Sequence, residues 1–233
     1  MFADLIESLE PSLSAARFAR YRPVGEHDDP DLEVIVNYVW NMALADSLYC
    51  CLSAVEVALR NTLHTTLADH FGTPTWYSQT GIMDLEQQQQ LASATSKIMF
   101  HKKPVTPDRL VGEMTFGFWV TILSRNYEAR LWRANKSETI KHAFPHVPRK
   151  LRKRGSIHEQ YNQMRALRNR VSHHEPLFDD IKLTQRHQSV LEGIRWINPE
   201  LRQLVDRFDR FPEVYANGRS RVESQLKDHL GIP

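Results

Sequence analysis

The sequence predicts an all-α protein. Three observations carry that prediction. Nearly every periodic segment repeats its apolar residues at helical spacing. Strand signals, meaning period-two alternation rich in β-branched residues and tight Asn-Gly or Asp-Gly hairpins, do not occur. Helix starts and stops are marked by cap residues, prolines and glycines at the expected offsets.

Taken in order, the first element is a helix or helix pair before Arg22. Asp29-Pro30 places a capping carboxylate before a proline at the first helical position, and opens a long helical region from about Pro30 to about His70. Gly72 and Pro74 close it. A helix near Asp84 to His101 follows, with the glutamines at 87–90 on its surface. Thr106-Pro107 opens a helix that is predicted to run to Ser124. Ser137 to Ala143 reads as a short helix. Ser156 with Glu159 three positions on is a capping box, predicting a helix from Ile157 to His174 that Pro176 terminates. Helices at Leu183 to Ile197, Pro199 to Phe208 and Arg219 to Leu230 complete the chain. There is no repeat of solenoid period and no Gly/Ser linker. The simplest organisation is one all-helical domain over residues 1–233, with a core at about 30–180 and a C-terminal helical extension at about 181–233.

Composition narrows the function classes. The chain has 233 residues, 41% of them hydrophobic and 25% charged, which fits a folded globular protein and argues against disorder. No uninterrupted apolar run reaches bilayer length, and the acidic N-terminus MFADLIESLEP lacks a basic region followed by an apolar core. The expectation is a cytoplasmic protein with no membrane partner. Cys50 and Cys51 are adjacent and are the only cysteines, so they are expected to be reduced thiols in a helix. A formal net charge of +2 means that any nucleic-acid contact must come from a local patch. RKLRKR supplies one, with Arg149, Lys150, Arg152, Lys153 and Arg154, although the same residues also suit a solvated, charged connector.

The chemistry concentrates in RNRVSHHEP, residues 168 to 176. On a helical wheel Ile157, Tyr161, Met164, Leu167 and Val171 form a buried stripe. Arg168 falls roughly 20° from Ile157, inside that stripe. Asn169 and His173 are four apart and share a flank. Arg168 and His173 lie about 140° apart, so the arginine must fold over, or the helix must loosen near Pro176, for the two to meet. A charge on a core-facing stripe needs a partner. In the earlier segment Leu52, Val55, Leu59 and Leu63 form an apolar stripe that carries Glu56, with Arg60 at its edge and Asn61 and His64 close behind. The inference is that these helices pack together and that Glu56 faces Arg168 or a neighbour.

A buried salt bridge that fixes helix register is the plainer account of those two charges. It does not explain His173 and His174. Imidazole transfers protons near neutral pH, and guanidinium matches phosphate oxygens in a bidentate fork. Arginine with histidine, and no cysteine or serine triad, therefore suits phosphoryl chemistry. A ribose 2′-OH attacking its own phosphodiester needs no metal and no protein nucleophile, which would select RNA over DNA. Metal binding by His173, His174 and Glu175 is the competing reading. Adjacent histidines diverge by about 100° on a helix, and the i, i+4 spacing of zincin histidines is missing. No cofactor is expected. Ser172 has no nucleophile motif around it.

At this point the residues resemble a family. Arg168-Asn169 followed by three residues and His173 looks like the R-x4-6-H motif of the HEPN superfamily. LRNRVSHHEPLF, together with NYVWNMALADSLYCCLSAVEVALRNTL and GEMTFGFWVTILS, resembles the Abi-like (abortive infection) proteins of bacteria over roughly residues 30–180. The resemblance implies a HEPN-like helical bundle, a homodimer and a metal-independent endoribonuclease acting in phage defence. Carried over by position, Arg168 and His173 are the core pair, Asn169 is the polar residue between them, and Glu56 is the acidic residue of the earlier helix. Arg60, Asn61, His64 and His174 are supporting candidates. In such a dimer Arg168 of one subunit serves a phosphate near His173 of the other, which removes the wheel difficulty. Two other readings stand beside it: a non-catalytic RNA-binding module using Arg149 to Arg154, and a plain helical interaction protein.

Overall fold

The computed structural model describes residues 2–132 and 136–231, and among them there is no strand. The α-helices are α1 Phe2–Leu13, α2 Ala15–Ala19, α3 Pro30–Phe71, α4 Leu85–Phe100, α5 Pro107–Glu113, α6 Phe116–Ile122, α7 Lys136–Ala143, α8 Arg154–Ser172, α9 Leu183–Ile197, α10 Pro199–Phe208 and α11 Phe211–Leu230. The protein is all-α. Short 3₁₀ turns and one π-turn, Glu128–Trp132, fill connections.

The caps explain most boundaries. Asp29 Oδ1 accepts from Leu32 N at 3.0 Å and starts α3. Asp84 does the same for α4, from Gln87 N. Thr106 accepts from Arg109 N at the start of α5. Gly72, at φ 66°, closes α3 in the left-handed conformation that favours glycine.

Four sequence expectations are corrected. The helix predicted from Pro107 to Ser124 is two helices, because Met114 takes an extended conformation (ψ 136°) and Thr115 starts α6 by accepting from Phe118 N at 3.2 Å. The capping box at Ser156 does not start α8. The helix begins at Arg154, and Ile157 N bonds to Lys153 O at 3.0 Å, so Ser156 lies inside it. Arg219 to Leu230 is the second half of α11, which breaks at Gly218 (φ 64°, ψ −174°) after a first half that starts at Phe211. Finally, α3 is long and apolar enough to cross a membrane by length and composition, with a mean hydropathy of 1.5 over its most apolar window and 39% of that window buried. Its buried amides Asn37 and Asn41 are bonded within the chain, Asn37 Nδ2 to Tyr21 O at 3.0 Å and Asn41 Nδ2 to Tyr21 Oη at 3.2 Å. A core helix satisfies its polar groups in this way.

The chain divides into two compact units. The first gathers Met1–Cys50, Arg168–Thr184 and Phe208–Pro233. Its core is built from Phe2, Leu32, Ile35 and Val36 against Val222, Leu226 and Leu230, and from Phe18, Tyr21 and Val34 against Tyr38 and Phe178. The second gathers Cys51–Leu167 and Gln185–Arg207. There the predicted stripes are buried at Leu52, Val55, Leu59 and Leu63 on α3 and at Ile157, Tyr161, Met164 and Leu167 on α8, while Val171, the last residue of the expected α8 stripe, is half-buried. Gly193 lets α9 approach α8 closely, since a Cβ there would run into the Met164 thioether. Tyr161 Oη donates to the Gly193 carbonyl at 2.9 Å across the same contact.

Candidate functional site

The end of α8 sets the geometry. His173 N still bonds to Asn169 O at 2.8 Å, so helical pairing continues through His173. His174 N then bonds to Val171 O at 3.2 Å, and Glu175 N reaches back to Arg170 O at 2.9 Å. This pair of bonds is a Schellman ending, with His174 at the left-handed position and φ 54°. The end of α3 uses the same pattern, where Thr73 N bonds to Ala68 O and Gly72 N to Asp69 O. There the left-handed residue is glycine. A side chain in that conformation costs about 1 kcal/mol or more. His174→Gly is therefore expected to raise stability by about 0.5–1 kcal/mol, read as a higher urea midpoint, while removing the second imidazole.

The turn that follows is held from three sides within the first unit. Arg17 Nη1, from α2, donates to the His174 carbonyl at 2.5 Å. Asn41, from α3 and 4% exposed, donates through Nδ2 to the Glu175 carbonyl at 3.4 Å and accepts from Leu177 N through Oδ1 at 2.5 Å. Arg170 donates to the Pro176 carbonyl, pairs with Asp180 and lies 4.0 Å from Glu175. Three consecutive carbonyls, 174 to 176, thus each have a side-chain donor. Tyr21, 1% exposed, backs Asn41 and packs on Tyr38 and Phe178 at ring distances of 5.2 and 5.6 Å. Burial pushes its phenol pKa up, against an opposing pull from Arg17.

On this fixed turn His173 and His174 are exposed, as is Asn169 one helical turn back, while Arg168 is half-buried. These four share the first unit. Glu56, Arg60, Asn61, His64 and Arg149 to Arg154 belong to the second. Glu56 is half-buried, and both it and Arg168 are engaged. Arg60 Nη1 donates to the Gly112 carbonyl at 3.4 Å, and Asn61 is exposed. His64 Nδ1 accepts from the Trp76 indole at 3.2 Å, and burial pushes its pKa down against an opposing pull from Asp108. The basic stretch is split. Arg149, Lys150 and Lys153 are exposed. Arg152 donates to the Val147 carbonyl at 3.1 Å, and Arg154 donates to the Leu123 carbonyl at 2.6 Å and to Glu128 at 3.2 Å. Two of the five patch cations are thus used inside the second unit. Among the described residues no three His, Cys, Asp or Glu side chains converge as metal ligands.

Sequence reasoning missed Arg17, Tyr21, Asn41 and Arg170. A signal for Asn41 exists. Val34, Asn37, Asn41, Leu44 and Leu48 recur at helical spacing and are all buried, so two amides four apart sit on an otherwise apolar stripe. Such amides require partners from another segment. Nothing local marks Arg17, whose target is 157 positions away.

No family model, curated protein or solved structure matches the chain.

Proposed function

We propose that this chain is a metal-independent endoribonuclease of the abortive-infection type, with the HEPN-like motif Arg168-Asn169-x3-His173 at its site. The observation that supports this reading is the turn after α8. Its backbone is fixed by Arg17, Asn41 and Arg170, and it carries two exposed imidazoles beside an exposed amide. Rigid presentation of acid–base groups is what in-line phosphodiester chemistry asks of a protein.

In the proposed reaction one imidazole takes the proton of the ribose 2′-OH. The 2′ oxygen attacks phosphorus and the P–O5′ bond breaks. An imidazolium gives its proton to the departing 5′ oxygen. The products are a 2′,3′-cyclic phosphate and a 5′-hydroxyl, with no metal, oxidant or water consumed. Guanidinium stabilises charge on the phosphorane. A homodimer that sets two motifs across one cleft, with Arg168 of one copy near His173 of the other, belongs to the same proposal, as does action in the cytoplasm. The test incubates the protein with cellular RNA in excess chelator and maps product ends. Products with 3′-hydroxyl and 5′-phosphate ends, or cleavage only with added metal, would overturn it.

A second reading rests on the three exposed cations Arg149, Lys150 and Lys153. They suit a non-catalytic RNA-binding surface. In that case neutralising the three together is expected to weaken RNA binding and flatten its salt dependence by about 2 in slope, measured by filter binding at several salt concentrations, with no products. Arg152 and Arg154 contribute little to that slope, because their guanidinium groups are bonded internally.

A further inference from the structure

The position of Arg17 bears on which cation meets the phosphate. Arg168 lies about 140° around the helix from His173. The helix does not loosen to close that angle, since His173 N keeps its bond to Asn169 O at 2.8 Å. Arg168 is also half-buried and already engaged. Within one copy, two guanidinium groups bond the histidine turn, Arg170 at the Pro176 carbonyl and Arg17 at the His174 carbonyl, and Arg170 is paired with Asp180. Arg17 Nη1 is 2.5 Å from the carbonyl of His174, the residue next to His173.

The group is fixed in place rather than a loose surface cation. It bonds that carbonyl, and its charge pulls against the raised pKa of the Tyr21 phenol, which is buried and accepts from Asn41 Nδ2 at 3.2 Å. A guanidinium has five N–H donors, and the His174 carbonyl takes one of them. Two carboxylates after the helix, Glu175 and Asp180, pair with Arg170. Arg20, exposed and three positions on, adds a second positive charge near Tyr21.

We propose that Arg17 is a phosphate-binding residue of this site, holding the His174 carbonyl with one arm of its fork and an RNA phosphodiester with the other. This rests on the reading that the turn is an RNA site, and it adds a cation on α2 to Arg168 of the motif. The plainer alternative is that Arg17 only anchors the turn, as a cation at a helix C-terminus does. Substitution by glutamine separates the two. Arg17→Gln keeps an N–H donor for the carbonyl but loses the charge and the fork.

The test uses the full chain, Arg17→Gln and Arg17→Lys. A fluorescent 2′-O-methyl oligoribonucleotide, which cannot be cut, reports binding by anisotropy across a salt series. An unmodified oligonucleotide reports cleavage, and exchange of the Leu177 amide reports whether the turn is intact. Arg17→Gln is expected to bind about tenfold more weakly, with a shallower salt slope, and to cleave about 100-fold more slowly, with Leu177 still protected. Arg17→Lys, a point charge without the fork, is expected to fall between. Parental binding and cleavage by Arg17→Gln overturn the proposal. So does a loss of binding matched by deprotection of Leu177, which would make Arg17 an anchor only. A parent protein that binds RNA without cutting it sinks the nuclease reading alone, and the binding arm still decides Arg17. A parent that does neither overturns both.

Discussion

His173→Ala is expected to reduce RNA cleavage in excess chelator by about 10²–10⁴-fold, the range that a positioned acid or base supplies. Its folding stability is expected to stay within about 0.5 kcal/mol of the parent, because the side chain is exposed and no packing is lost. The backbone N–H of residue 173 is unaffected, so the bond to Asn169 O and the Schellman ending survive the substitution. Arg168→Ala makes an informative contrast. Arg168 is half-buried and engaged, so its removal is expected to cost stability as well as rate. Two variants in one assay therefore separate an exposed chemical group from a partly buried charge. A His173→Ala protein that cuts at the parental rate, with the same product ends, would falsify the assignment of this turn as the catalytic site.

How much of this was legible beforehand follows from the range of each interaction. Caps are local, and Asp29 and Thr106 behave as their spacing predicts. Burial stripes are local too, and those on α3 and α8 are in the core. Ser156 misled because a capping box is a pattern of residue types, and the chain had already satisfied helical pairing from Lys153 O. The single helix expected from Pro107 to Ser124 fails because the Thr115 hydroxyl accepts from Phe118 N, which competes with continuing the helix through Met114. Within the site, the residue types at 168 to 174 could be read directly. Their support could not. Arg17 and Asn41 act through contacts 157 and 136 positions apart, and no periodicity encodes a contact of that separation. His174 illustrates the same limit. The sequence HHEP shows a stop at Pro176, but which histidine takes the left-handed position depends on the register of the bonds back to Arg170 and Val171.

Asn41→Leu is expected to be the most damaging single change in the first unit, at about 2–4 kcal/mol, measured as a fall in the urea midpoint. The two side chains are similar in size, so the loss is of hydrogen bonds rather than of volume. Asn41 is 4% exposed and serves three groups at once: Leu177 N, the Glu175 carbonyl and the Tyr21 phenol. Leucine leaves the buried Leu177 N–H without its acceptor, and an unsatisfied buried donor costs about 1–3 kcal/mol by itself. Asn41→Asp keeps an acceptor for that N–H but has no donor for the Glu175 carbonyl, and it places a carboxylate in the interior. It is expected to be damaging too, with more protection of the Leu177 amide than leucine allows. The consequence for function follows from position rather than contact. Within the turn Asn41 bonds the backbone at 175 and 177, beyond the imidazoles, so its loss is expected to loosen the turn and lower cleavage further than the unfolded fraction explains. A variant with the parental midpoint and a protected Leu177 amide would show that the turn holds without Asn41. The rigid presentation of His173 and His174 would then have to come from Arg17 and Arg170.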